Sequence, residues 1–482
     1  MSAVSNNYLK SYIHAAMCIG LMVGIGLLPT FGQVTPVGMK VLGIFVGMMY
    51  GWIFCGYIWP SLLGMVLYGF SGLASVSATF NGGFGHTTVV MIIVCFIFAG
   101  LVESFRIGNA LATKVFGMKF FVGKPWAMLS VLILSACYIS AVSNTFVVFF
   151  LFCSIMVPIF EKCGYKKGDF RVVFVVGSIL FAASLGSILL PFHMTPIMFI
   201  GFMTGAVGAT IPYGQYVVWA VVVFTAALLL LIAVAKFVFR LDFSAMTEDF
   251  FADQRGKKLD KDQIIGLWIT FFFVVSLMAP DFLPATWTIT IILKQLGLVG
   301  VIAVIMIVVG ILRREDGKPL GDLKSFCVCG VNWDVAWLLI ATMPIASAMT
   351  SADCGVSATI VQWLRPILVN MTPLMFTIAL VVFVGIATQV FHNVVLGAVF
   401  IPLGATILTG MGGNPILMTM MFLAVVTPAL GTPAGAAQSP LFHGHDWVAV
   451  NAKSAYIWGW AFLVVLLIAV VAVGYPLGSM LF

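Results

Sequence analysis

Ser143-Asn144-Thr145 and His392-Asn393 are the polar residues of this 482-residue chain best placed to do chemistry. Each group sits in oil. Pro125 to Phe160 is 36 residues without a charged side chain, and Pro366 to Met411 repeats the arrangement. Hydroxyl and amide oxygens can ligate a cation, and their hydrogens can donate to an anion. An imidazole can add charge by taking a proton. A small polar break between apolar flanks, present twice, suits a binding site at membrane mid-depth.

The elements that position these groups must be membrane helices. The chain is 62% hydrophobic and 8% charged, and its mean hydropathy is +1.16. No soluble core could hide that much apolar surface. Alternating barrel strands are absent from the pattern, so helices must satisfy the backbone. The expected class is an all-α polytopic membrane protein. Apolar runs fall at 11–31, 38–58, 60–74, 86–105, 172–210, 213–239, 264–281, 296–312, 332–352, 415–443 and 455–480. That makes about eleven spans. Lys10 precedes the first run, which reaches Phe31 with no small-residue cleavage site, so it is expected to remain as a span.

Basic residues decide how the two charge-free stretches sit. Lys114, Lys119 and Lys124 precede the first, and Lys162, Lys166, Lys167 and Arg171 follow it. Both ends lie on one side, so the stretch at about 125–160 is best read as a re-entrant hairpin tipped by Ser143-Asn144-Thr145. With the N-terminus cytoplasmic, 20 of the 23 basic residues fall on inner loops, leaving only Lys40, Lys294 and Arg365 outside. The hairpin at about 366–411 then enters from the opposite side. The chain divides into an N-terminal half (1–239), a cytoplasmic linker (240–262) and a C-terminal half (263–482), the two halves inverted. The linker's mixed charge suits a solvated face and permits an amphipathic surface helix. The net charge of +7 reflects topology and implies no nucleic-acid partner. The partners are the bilayer and a small solute. The nine cysteines lie mostly in or beside apolar segments, where packing explains them.

The halves also match residue by residue. Asn144 and Asn393 are followed, in order, by Leu185-Gly186-Ser187 and Leu430-Gly431-Thr432, then by Thr195-Pro196-Ile197 and Ser439-Pro440-Leu441. Pro191 and Pro196 interrupt the span at 172–210. Pro428, Pro433 and Pro440, with Gly431 and Gly435, interrupt the one at 415–443. Broken helices free N–H groups for anions and carbonyls for cations, so Thr195, Pro196, Ser439 and Pro440 at the breaks join Ser143, Asn144, Thr145, His392 and Asn393 at the tips as substrate-binding candidates.

The Ser-Asn-Thr hairpin tip, its later partner and the Thr-Pro and Ser-Pro breaks resemble the divalent anion:sodium symporter family of the ion transporter superfamily. Gly38-Met39-Lys40-Val41-Leu42-Gly43-Ile44-Phe45-Val46-Gly47 and Val331-Asn332-Trp333-Asp334 are similar to that family's motifs too. The resemblance implies eleven helices, two hairpins, a homodimer and an elevator mechanism carrying dicarboxylates, citrate or sulfate. It implies that Ser143, Asn144, Thr145 and Asn393 bind substrate. Ser143, Asn144, Thr195 and Asn393 would serve the ion sites, with carbonyls from Leu190 to Thr195. It implies sodium as the coupling ion, no other cofactor, and the inner (plasma) membrane. The second tip departs from the family: His392-Asn393-Val394 stands where the family repeats Ser-Asn-Thr, so two hydroxyls are lost. Phe146 and Phe391 flank the tips and are expected to make the pocket more apolar.

His193 and His392 fall at the mid-depth breaks and are candidates for proton or anion coupling. The plainer role is a hydrogen bond to a hairpin carbonyl that holds the break in shape. Glu103, Asp334 and Asp353 lie near span ends and are taken as interface or packing residues. Proton coupling or anion exchange is the second reading of function, and an ion channel a third. No nucleophile–base pair, phosphate loop or metal cluster of recognisable spacing suggests an enzyme.

Overall fold

The structure, a computed structural model, describes residues 2–116, 123–246, 259–314, 317–351, 353–356, 358–359, 362–363, 371–391 and 393–482. Among them the regular structure is helical, apart from one isolated bridge between Arg313 and Pro319. The first half runs α1 (Ser2–Gly24), α2 (Pro36–Phe54), α3 (Ile58–Gly69), α4 (Val76–Phe84), α5 (Thr87–Ser104), α6 (Ile107–Phe116), α7 (Pro125–Ser140), α8 (Thr145–Lys162), α9 (Phe170–Gly186), α10 (Met194–Val207) and α11 (Tyr213–Ala233). The second half runs α12 (Lys261–Phe282), α13 (Thr288–Ile311), α14 (Leu323–Cys329), α15 (Trp333–Thr350), α16 (Pro373–Ala387), α17 (Asn393–Gly410), α18 (Pro415–Val426), α19 (Ser439–His443), α20 (Ala452–Ala469) and α21 (Tyr475–Leu481).

Nine helices among the described residues are long and apolar enough to cross a membrane, or ten if α14 and α15, bent by 66°, are counted as one span. The protein is a multi-pass membrane protein. Both charge-free stretches are helical pairs. The first arms, α7 and α16, have 16 and 15 residues, while the second arms, α8 and α17, have 18 each. An 18-residue helix reaches the lower limit for a crossing, so the second arms are longer than a short hairpin arm needs to be. Residues 366–370 of the second stretch lie outside the described residues.

The broken spans differ in extent. The span expected at 172–210 is α9 and α10 with a break over 187–193. Pro191 lies in that break. Pro196 lies in the first turn of α10, where a missing N–H costs nothing, so it starts a helix and does not interrupt one. The span expected at 415–443 unwinds earlier. α18 stops at Val426, the chain is non-helical to Gln438, and α19 has only five residues. The run expected at 60–74 is the 12-residue α3, followed by a separate α4 that the apolar pattern did not suggest. In the linker, 240–246 is non-helical, and 247–258 lie outside the described residues.

Local sequence explains the boundaries. Proline occupies the first turn of α2, α7, α16 and α18, where its fixed φ favours the helix. Side-chain caps precede several of them: Thr35, Thr372 and Asn414 each accept a first-turn N–H. Asp260 and Gln263 close a reciprocal capping box on α12. Gly208, at φ 70°, ends α10 in the left-handed region.

The core is built around α9, every residue of which from Val172 to Gly186 is buried. A helix apolar on all sides belongs inside other helices. α7, α8 and α20 pack around it, while α16 and α17 flank α18. α10 packs along α17, which joins one half to the other. α15 lies against α2, α3, α4, α5 and α10. Large apolar side chains such as Trp268, Phe271, Phe272, Ile289 and Ile307 are exposed on α12 and α13, as lipid-facing helices require.

Candidate functional site

The first tip is short and internally bonded. The N–H groups of Val142 and Ser143 donate to Ile139 and Ser140 carbonyls at 3.2 and 3.4 Å. Asn144 caps α8, its Oδ1 accepting from the Phe146 N–H at 2.9 Å. That leaves the amide nitrogen of an exposed Asn144 for a ligand. Thr145 Oγ1 lies 3.3 Å from Ser140 Oγ and leans toward the Ala183 carbonyl of α9 at 3.4 Å. Gly108 of α6 lies beside Ser143: a Cβ there would come within 2.5 Å of Ser143 Oγ.

The second tip is held by a buried amide. Gln389 Nε2 donates to Gly385 O at 2.9 Å, and its Oε1 accepts the Gly431 N–H at 2.6 Å. The Thr432 hydroxyl donates back to the Gln389 carbonyl. Thr388 donates to the Val426 carbonyl at 3.3 Å. Thr145, which opens the second arm of its stretch, and Thr388, which closes the first arm of the other, each reach a carbonyl near the end of the central buried helix of their half. Asn393 is buried, and its Oδ1 accepts the Val394 N–H at 2.9 Å. His392 lies outside the described residues.

The breaks are tied to the tips. His193 Nε2 lies 2.7 Å from the Ala141 carbonyl of the first tip, so that nitrogen carries the proton and donates. Its ring stacks on Phe192. This is the shape-holding bond, and among the described residues it leaves Nδ1 uncommitted. In the second break Gln438 Nε2 donates to the Thr427 carbonyl at 2.9 Å and to Ser184 Oγ of α9 at 3.2 Å, joining the halves. His443 donates to Leu430 O at 3.0 Å.

These groups border one cavity of about 530 Å³. Ser143, Asn144, Thr145, His193, Thr195 and Asn393 all line it. Ser439 and Pro440 do not. Ser439 is buried and spends its hydroxyl on the Thr432 carbonyl at 2.6 Å, and Pro440 starts the short α19. Pro196 is buried beside Thr195 without reaching the cavity. Phe146 lines it, whereas the exposed Phe391 does not. The sequence reading missed several contributors, three of them able to meet a solute with an amide or a carboxylate. Gln438 lines the cavity, and so do Glu103 of α5 and Asp334 of α15. The two acids are therefore wall residues of the site, a correction to their reading as interface or packing groups. Asp353 is not among the lining residues. A clue was present in the sequence: Asp334 directly follows the Asn332-Trp333 motif, and Glu103 ends an otherwise uncharged apolar run.

No protein-family model and no curated protein matches the chain by sequence. Its structure does have a solved counterpart. The YdaH transporter of Alcanivorax borkumensis, described as having an unusual topology, superposes with a TM-score of 0.55 over 84% of this chain and 87% of that one. The two chains share a fold. Sequence identity over the match is 13%, so the likeness is one of architecture.

Proposed function

We propose that this protein is a secondary active transporter of small organic anions of the di- or tricarboxylate type, or of sulfate. One observation carries the reading: two polar tips and two helix breaks, far apart in the chain, border a single cavity of about 530 Å³. Such a volume holds a small solute with room for ions or water. In this reading Ser143, Asn144, Thr145 and Asn393 bind the substrate. Ser143, Asn144, Thr195 and Asn393, with backbone carbonyls of the first break, form the sodium ligands. The resemblance to the divalent anion:sodium symporters supports both roles.

The regular spacing of the halves supports inverted repeats. Helices start at Pro125, Thr145, Phe170 and Met194 in the first half and at Pro373, Asn393, Pro415 and Ser439 in the second, spacings of 248, 248, 245 and 245 residues. With the loop charges, these repeats enter from opposite sides of the inner (plasma) membrane, the N-terminus being cytoplasmic. An elevator motion of the tips and breaks, in a homodimer, would then expose the cavity to each side in turn.

A second reading is proton coupling or sodium-independent exchange. It is favoured by Val394, which lines the cavity at a position where the resembled family carries a hydroxyl. Uptake of labelled succinate, citrate and sulfate into liposomes tests both. Saturable uptake driven by an inward sodium gradient is expected. Uptake indifferent to sodium but driven by pH or counter-anion selects the second reading. No saturable uptake of any of the three rejects the proposal.

A further inference from the structure

Groups of opposite character line the cavity. α8 and α17, of 18 residues each, and α10, of 14, begin at it. The positive ends of their dipoles favour a negative group. Asn393 lines the cavity beside them. It is 9% exposed and its Oδ1 accepts the Val394 N–H, so its amide nitrogen is the group that can donate to a ligand or water.

The same cavity is lined by Glu103 in the last turn of α5 and Asp334 in the first turn of α15, both exposed. Neither has a basic partner among the described residues, and no Lys or Arg lines the cavity there. A substrate with two negative ends would turn its second charge toward two carboxylates. Like charges repel, and water reaching both acids tempers the repulsion without cancelling it. A substrate with one negative and one positive end meets both kinds of group favourably.

We propose that the transported acid carries a cationic group: its carboxylate sits at the helix N-termini and its ammonium faces Glu103 and Asp334. The inference rests on the cavity being a carboxylate transport site, and it narrows the substrate to amino-substituted acids.

Succinate and aspartate form a matched pair, differing by one ammonium. Competition against labelled succinate or aspartate uptake, with the full-length protein in liposomes at fixed sodium, reads the difference. Aspartate is expected to compete at a concentration about fivefold or more below succinate, the size of an ion pair in a water-reached cavity. In Glu103→Gln/Asp334→Asn the preference should vanish, the two acids competing at equal concentrations. A melting temperature of the ligand-free variant equal to that of the unaltered protein shows that it is folded. Equal competition in the unaltered protein overturns the proposal, as does a preference that survives the double substitution. If succinate improves with sodium and only the variant loses that gain, the carboxylates hold the coupling cation and the proposal is again overturned. If neither acid competes nor is taken up, carboxylate transport itself falls.

Discussion

At the scale of single residues, the decisive contact is His193 to the Ala141 carbonyl. It fixes the break between α9 and α10 to the back of the first tip at 2.7 Å. A neutral imidazole donating through Nε2 does this without any charge change. His193→Ala leaves that carbonyl without its donor, which costs about 1 to 3 kcal/mol where water cannot replace it. The expected result is a lower melting temperature together with weaker substrate binding, since the same carbonyl precedes Ser143. A thermal-unfolding series with and without substrate separates the two effects. An unchanged melting temperature with lost transport would mean that His193 acts on the substrate and not on the frame. The histidine was legible as a mid-depth group, but its carbonyl partner lies 52 residues away and no local pattern points to it. Glu103 and Asp334 were misjudged for a related reason. A position near a helix end says nothing about whether that end faces lipid, solvent or a cavity.

At the scale of elements, α9 is the post against which the first hairpin leans. Gly186 makes that approach possible: a Cβ there would lie 2.0 Å from the Cys137 carbonyl of α7. Backbone cannot yield as a side-chain tip can. Gly186→Ala is therefore expected to destabilise by about 1 to 3 kcal/mol through overpacking. Gly205→Ala in α10 is the control. Its Cβ would meet only Met343 Sδ at 3.7 Å, so helix propensity should dominate and stability should hold or rise. Equal melting temperatures for the two variants would reject the close-approach argument. The start of α9 adds a pH dependence outside the membrane. Asp169 caps the helix and takes Arg171 through both carboxylate oxygens, at 3.0 and 2.7 Å. The hydrogen bond from Arg171 holds its carboxyl below the ordinary carboxylate range. A lowered folded-state value gives stability that is present above the ordinary value and lost as pH falls through the lowered one. Melting temperature should thus fall from about pH 4 downward, and Asp169→Asn should flatten that slope while lowering the plateau at neutral pH. A slope that persists in the variant would assign it to other carboxylates.

At the scale of the whole molecule, the helical class, the paired helices of the two charge-free stretches and the position of both breaks were readable because each has a long-range signature in composition: charge-free runs, proline clusters and a repeated order. The limits of the second break were not. Pro428, Gly431, Pro433 and Gly435 predict interruption, but the length of chain left unwound depends on Gln389, which substitutes its own amide for the lost helix bond at Gly431. Convergence on one cavity was also beyond sequence, since α10 against α17 and Gln438 against Ser184 are contacts between halves. Orientation remains the largest-scale expectation. The loop charges put 313–324 and the short α14 that follows on the cytoplasmic side. Cys327 of α14 is exposed, so it reports that side directly. In a variant retaining Cys327 as its sole cysteine, a membrane-impermeant maleimide should label inside-out vesicles and leave right-side-out vesicles unlabelled. Substrate protection is not expected, because Cys327 is not among the cavity residues whereas Cys329 is. Labelling from the outer face would reverse the topology of the second half. The two hairpins would then enter from the same side, and the inverted arrangement on which the alternating-access reading depends would be lost.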